Sequence, residues 1–218
     1  MWLQNRLKSI GLSPINNVVD ITNYILHGYG QPLHAFDADK ISGQKIKVGV
    51  VDAGTRLITL DGVERILNGS EIVVKDGQNK PLAIAGVLGG ATSGVNSETI
   101  NIFLEGAYFN PVAVRKSAKY HGLNTDASFR FERGIDPNNV KTAITHAIKM
   151  ITDIAGGRLV GDIIEHYPNK IEDHYVILRF SKIDQILGMK IHRDKIKEIL
   201  KSLDIKVLNE ITNAVEIS

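Results

Sequence analysis

From Lys45 to Phe109, apolar and polar residues trade places in short runs broken by glycine and aspartate; from Asn110 to Gly156, apolar residues return every three or four positions. A period of two marks half-buried strands, and a period near 3.6 marks helices with one apolar face. The chain therefore predicts a strand-rich stretch followed by helices. Lys45–Val51 alternates into a glycine, and the Thr59–Glu64 run (TLDGVE) puts Asp-Gly where a tight hairpin needs positive φ. Glu71–Lys75 predicts a strand ended by Asp76 and Gly77. Leu82–Leu88 is unbroken apolar sequence closed by Gly89 and Gly90, which predicts a buried strand entering a glycine loop. Ile100–Phe109 predicts a further strand.

The helices carry end signals. Asn110 suits an N-cap, Pro111 the first helical position and Gly122 the position past the end; Asp136, Pro137 and Gly156 repeat the arrangement. Between the latter, Val140, Ala143, Ala147, Ile151 and Ile154 belong to one apolar stripe. Upstream, Met1–Gly11 is amphipathic through Trp2, Leu3, Leu7 and Ile10, and reads as the end of something larger. Asn17–Leu26 fits a helix or an irregular apolar stretch, broken by Gly28, Gly30 and Pro32. A boundary is expected at Tyr167–Asp173, giving a main domain over 1–166 and a small module over 174–218. In that module Ser181 caps a short helix ended by Gly188. A second helix runs from Arg193 to Leu203, and Lys206–Leu208 and Ala214–Ile217 form a hairpin. Two helices and a hairpin read as a winged-helix-like unit, cut short as its second strand forms.

The expected class is α+β. The 218 residues carry no cysteine, which excludes disulfides, thiolate zinc sites and thiol nucleophiles. No apolar run has the length to span a bilayer; MWLQNRLKSIG lacks the apolar core of a signal peptide, and a cytoplasmic location fits. A net charge of +2 does not by itself announce a nucleic-acid binder, so any such role rests on local clustering. The glycines of GVLGGATSG are followed by no Gly-Lys-Ser/Thr, so they make no P-loop. No cluster has metal-ligand spacing, and no metal is expected.

Four segments concentrate candidate chemistry. Leu123–Asp136 (LNTDASFRFERGID) is either a polar loop with caps and ion pairs or, from its Phe129/Phe131 alternation, a strand edge presenting Arg130 to a cleft. His34 follows a proline-fixed bend in QPLHAFD, as a structural or a catalytic histidine. Glu105 would share a strand face with Asn101 and Phe103; a carboxylate in so apolar a strand is an internal ion-pair partner or a poised acceptor. Arg115 and Lys119, one helical turn apart, could with Arg130 contact phosphates, or be a solvated face.

The order of these motifs carries a resemblance. PINNVVDITNYILHGYGQPLHAFDADKI, then TLDG, LAIAGVLGG, SGVNSETINIFLEGAYFNP and GLNTDASFRFERGIDP resemble the editing domain of bacterial phenylalanyl-tRNA synthetase β subunits. The resemblance runs from about Pro14 to Gly161, and LRFSKIDQILGMKIHRDKIKEILKSLDIKV resembles the small helical module that follows it. It implies an α+β mixed-sheet domain with flanking helices, and a post-transfer site that hydrolyses mischarged Tyr-tRNA(Phe). It implies tRNA(Phe) and the synthetase α subunit, in an α2β2 tetramer, as partners. ATP and Mg2+ would serve the whole enzyme outside this region, with no cofactor in it, and the segment alone would not charge tRNA. By motif position, Glu105 would accept the tyrosine hydroxyl. Thr22, Asn23 and Gly89 would line the substrate pocket, His34 would help orient the ester or the attacking water, and Thr125 and Ala127 would form the wall near the ester. Ser13 stands where some relatives carry arginine, which counts against one tRNA contact. The alternatives are a non-catalytic module binding the tRNA acceptor end, or a scaffold within the synthetase.

Overall fold

The computed structural model describes residues 2–172 and 174–218. Met1, and Asp173 at the end of the expected linker, lie outside the described residues. The chain divides into two compact units, one up to Ile163 and one from Ile164 onward.

The first unit runs α1 (Trp2–Ser9), α2 (Asn17–Tyr29), β1 (Leu33–Asp37), β2 (Lys47–Gly49), β3 (Arg56–Ile58), β4 (Glu64–Ile66), β5 (Val73–Lys75), β6 (Pro81–Ile84), β7 (Leu88–Gly89), β8 (Ile102–Gly106), α3 (Pro111–Tyr120), α4 (Asp126–Phe131) and α5 (Val140–Ala155). The α+β class holds. Every strand pairing described is antiparallel, so the sheet expected to be mixed is built instead as small antiparallel sheets: β1–β8, β2–β5–β6–β7 and β3–β4. The ambiguous Asn17–Leu26 stretch is helical because Asn16 caps it, accepting from Val19 N at 2.9 Å, and Gly30 ends it at φ 71°.

Two cores support this unit. Phe36, Leu57, Leu67, Val73, Leu82 and Ile84 are among the residues filling one, with Phe109, Val114 and Phe131 of the helical side closing over them. Leu3, Ile21, Ile25, Ala143 and Ala147 fill the other, where α5 packs on α2. The small Ala143 and Ala147 let those helices approach closely. Of the apolar positions at the N-terminus, Leu3 and Leu7 are buried while Trp2 and Ile10 stay half exposed.

Three expectations are corrected here. Leu82–Leu88 is not one strand: Val87 N donates to Ile84 O at 3.0 Å, and Gly86 turns the chain at φ +69°, giving β6 and β7. An apolar run shows burial, but not where a glycine midway folds it back. The second correction concerns Leu123–Asp136, which presents no strand edge. Thr125 caps α4 in a capping box with Ser128, so each side chain bonds the other's backbone N–H. That reciprocal cap outweighs the two-residue alternation, and it buries Phe131 while Phe129 is 47% exposed. Third, the Ile100–Phe109 strand is shorter, with β8 spanning Ile102–Gly106.

The second unit holds β9 (Val176–Arg179), α6 (Phe180–Leu187), α7 (Arg193–Ser202), β10 (Val207–Ile211) and β11 (Ala214–Ile217). The expected hairpin is present, and β9 adds a third strand in the order β10–β11–β9. Because β9 runs directly into α6, Arg179 occupies the cap position without a side-chain bond, and Ser181 lies inside the helix rather than capping it. Phe180, Ile196, Leu200 and Val215 form the core of this unit, while Ile199 of α7 and Leu203 just past its end stay exposed.

Gly90 tests the tightness of the glycine corner. A Cβ there would sit 2.5 Å from Leu82 O, a backbone atom that cannot swing aside. Gly90→Ala is expected to lower stability by about 1–3 kcal/mol, read from the midpoint of urea unfolding at unchanged slope.

Candidate functional site

β1 and β8 are antiparallel neighbours, with Leu33 opposite Gly106 and His34 opposite Glu105. Directly opposed residues project to the same face, so the register brings the histidine and the glutamate together from distant sequence. Their neighbours Leu33 and Leu104 turn the other way, toward the α2–α5 core. On the His34–Glu105 face lies a cavity of ≈ 260 Å³. Four elements besides β1 and β8 supply walls: α2 through Thr22 and Asn23, the β6–β7 turn with Gly89, the hairpin tip with Leu60, and α4 through Thr125, Asp126 and Ala127. Thr22, Asn23, His34, Gly89, Glu105, Thr125 and Ala127 are thus assembled in one hollow.

The hollow's electrostatics are set by burial. No lysine or arginine lines it. Burial pushes the Glu105 carboxyl up to about 7, with no hydrogen bond or cation opposing it. The internal ion pair with an arginine, one of the two expected readings of Glu105, is therefore not what this structure contains. Burial also lowers His34 to about 4, so its imidazole is neutral at physiological pH. The ring meets Phe36 edge-on at 4.4 Å between centroids, and its Nε2 is buried without a partner.

Gly89 makes that placement sterically feasible. A Cβ on it would fall 2.6 Å from His34 Cε1, 2.9 Å from Nε2 and 3.0 Å from Leu60 Cδ1. Thr125 is a holding residue. Its hydroxyl donates to Val87 O at 2.8 Å and accepts from Ser128 N at 3.0 Å, tying the start of α4 to the β6–β7 turn. Thr22 is anchored similarly, donating to Val19 O at 2.9 Å. Leu60 and Asp126 are among the wall residues that sequence reasoning missed. Leu60 had only the hairpin signal around it, and its N–H bonds Gly89 O at 2.9 Å. Asp126 reads as part of a polar loop in sequence, whereas the cap at Thr125 puts it in the first turn of a helix.

The three basic candidates do not line the hollow. Arg115 and Lys119 are exposed on α3. Arg130 lies on α4 next to the wall, donating to Asp126 O at 3.0 Å and contacting His27 Nδ1 at 3.2 Å. Among the described residues no group of three or more His, Asp or Glu could hold a metal ion, and no helix is long and apolar enough to cross a membrane.

The first unit thus presents a small hollow enclosed by α2, the β1–β8 pair, the β6–β7 turn, the hairpin tip and α4, with Glu105 facing His34 inside it. The B3/4 domain family matches residues 1–156, and the chain belongs to that family. Over 96% of its length it is 48% identical to the phenylalanine–tRNA ligase β subunit of Porphyromonas gingivalis, and likewise to that of Bacteroides fragilis strain YCH46. It is 44% identical to the corresponding subunit of Carboxydothermus hydrogenoformans over 95%. The chain spans about a quarter of the length of these relatives, 25% of the first two and 26% of the third. An N-terminal fragment of the phenylalanyl-tRNA synthetase β subunit from Pyrococcus horikoshii superposes over 92% of this chain and 58% of that one, with a TM-score of 0.46 and 13% sequence identity.

Glu105 gives the hollow a titration signature. Its folded pKa of about 7 lies above its ordinary 4.5, so the folded state holds the extra proton, and stability declines as pH rises from 4.5 to 7. His34 acts oppositely, losing stability as pH falls from 6.5 to 4. Because His34 is common to both proteins, the difference between wild type and Glu105→Gln isolates the glutamate. The variant is expected to gain on the order of 1–3 kcal/mol relative to wild type between pH 4.5 and pH 8, measured by urea unfolding. A flat difference across that range would place the Glu105 carboxyl in water.

Proposed function

We propose that the hollow is a post-transfer editing site, which hydrolyses Tyr-tRNA(Phe) as part of a phenylalanine–tRNA ligase β subunit. The observation carrying this reading is the unpaired Glu105 carboxyl at the end of an apolar hollow, directly across the ladder from His34. At ≈ 260 Å³ the hollow falls below the range usual for whole-ligand pockets and suits one amino-acid side chain.

The selection follows from hydrogen bonding. A tyrosine ring entering between Leu60, Phe109 and the β6–β7 turn presents its hydroxyl to Glu105. Phenylalanine fits the same walls but leaves the carboxyl desolvated without a donor, at about 1–3 kcal/mol. The synthetic site faces the opposite problem, since an apolar pocket rejects an added hydroxyl poorly. The editing pocket thus discriminates where the synthetic pocket is weakest.

The chemistry is ester hydrolysis by a positioned water. Water oxygen adds to the ester carbonyl, the bond to the terminal ribose oxygen breaks, and tyrosine leaves with the ribose hydroxyl restored. Thr125 is occupied as a cap, so it shapes the wall near the ester rather than attacking it. His34, neutral and with an unpartnered Nε2, suits orientation by hydrogen bonding better than strong base catalysis. Thr22 and Asn23 offer a hydroxyl and an amide for the amino-acid backbone. Aminoacylation, with ATP and Mg2+, would fall to the α subunit of a cytoplasmic α2β2 enzyme.

The test uses full-length β subunit assembled with α. Glu105→Ala is expected to reduce kcat/KM for Tyr-tRNA(Phe) deacylation roughly tenfold or more, and to bring it close to the value for Phe-tRNA(Phe). His34→Ala is expected to lower kcat. Tyrosine-specific hydrolysis unchanged in both variants would leave this domain a non-catalytic binding module or scaffold.

A further inference from the structure

The surface continuous with the hollow, on the far side of Asp126, has no part in holding a tyrosine. α4 turns Ala127 and Phe131 toward the wall and the core, which leaves Asp126, Phe129 and Arg130 on its outer face, with Arg133 in the turn that follows the helix. Phe129 is 47% exposed, and the Arg133 guanidinium carbon lies over its ring at 3.6 Å from the centroid. Beside it, Arg130 is held in place without being used up. It donates to Asp126 O at 3.0 Å and to His27 Nδ1 at 3.2 Å, and its Nη1 lies 3.9 Å from Asp126 Oδ1 in a loose ion pair, which leaves three of its five N–H donors without a hydrogen bond. That contact makes His27 Nδ1 the acceptor and puts the ring proton on Nε2. The nearest carboxylate oxygen, Asp126 Oδ2, is 3.9 Å from Nε2, beyond hydrogen-bond range.

Beside the hollow are thus a carboxylate at the wall, the donors of Arg130 and His27, and an aromatic ring stabilised by a cation. A nucleotide esterified through its ribose offers a partner for each, as ribose hydroxyl, phosphate and base. Aromatic and guanidinium planes accept bases by stacking, and arginine forks accept phosphate oxygens. A helix with its side chains is about 10–12 Å across, within reach of a single nucleotide whose ester lies at the mouth.

We infer that the outer face of α4 docks the terminal nucleotide of an RNA 3′ end, with its base on Phe129, its phosphate on Arg130 and His27, and a ribose hydroxyl on Asp126. This rests on the editing reading for its choice of RNA, and it gives that site the second half of its substrate. Arg133 also pairs with Glu132 at 2.7 Å, so its role is to stiffen Phe129 as a platform rather than to contact phosphate.

Two measurements on the assembled α/β enzyme test it. In deacylation of Tyr-tRNA(Phe), Phe129→Ala is expected to raise KM roughly tenfold, with kcat changing far less, and Phe129→Trp to restore KM. In direct binding, tRNA with 2-aminopurine at its terminal position is expected to lose fluorescence on the wild-type enzyme and to keep it on Phe129→Ala. Arg130→Gln is expected to weaken binding and reduce its salt dependence, without restoring the fluorescence. Equal KM values and equal quenching in wild type and Phe129→Ala would overturn the inference. A wild-type enzyme that quenches but does not deacylate would instead defeat the editing reading and leave the docking surface standing.

Discussion

One ladder, β1 against β8, sets the geometry on which the site depends. Its register puts His34 across from Glu105 and sends Leu33 and Leu104 to the opposite face. A slip of β8 by one residue would exchange its faces, turning Glu105 into the α2–α5 core and Leu104 into the hollow. The register is held at both ends of the pairing. Gly106 lets Ile144 of α5 approach to where a Cβ would clash at 2.6 Å, and Asp37 is fixed by Lys40 at 3.0 Å and Thr99 at 2.8 Å. The same hydrophobic contacts that stabilise the α2–α5 layer therefore determine which side chains the hollow receives.

Burial then differentiates the two facing groups. Both lose hydration, and each shifts toward its neutral form: the carboxyl upward, the imidazole downward. Near neutral pH the histidine is uncharged and the glutamate stands close to its midpoint, so neither is locked in an ion pair. The absence of lysine and arginine from the walls keeps it so. A single cation here would hold Glu105 ionised and occupied, and a hydroxyl would have little to gain by entering.

Some of this was legible in the sequence. Strand alternation placed Asn101, Phe103 and Glu105 on one face, and cap residues gave the ends of α3 and the stop of α5. The pairing of His34 with Glu105 was not legible from periodicity, since registers between distant strands leave no local mark. Only the ordered motifs of the resemblance brought Thr22, Asn23, His34, Gly89, Glu105, Thr125 and Ala127 together in advance. Where local pattern misled, a competing local signal had been passed over. Thr125 and Ser128 form a reciprocal cap that converts an apparent strand edge into α4, and Gly86 folds one apolar run into two strands. β9 had neither cap nor clear alternation, and three of its four residues are exposed, so its place in a sheet depends on β11 alone.

The capping box at Thr125 links these levels. α4 has only six residues, too short to persist as a helix without support. Its support is the Thr125 hydroxyl, shared between Ser128 N and Val87 O, together with Phe131 buried against Phe109. The turn that Thr125 grips is the one that positions Gly89 over His34. Loosening the cap would therefore disturb two walls of the hollow at once and release the row bearing Arg130 and Phe129. A hydroxyl that takes no part in bond breaking can thus matter to turnover as much as one that does, because the pocket and the face beside it share a single anchor.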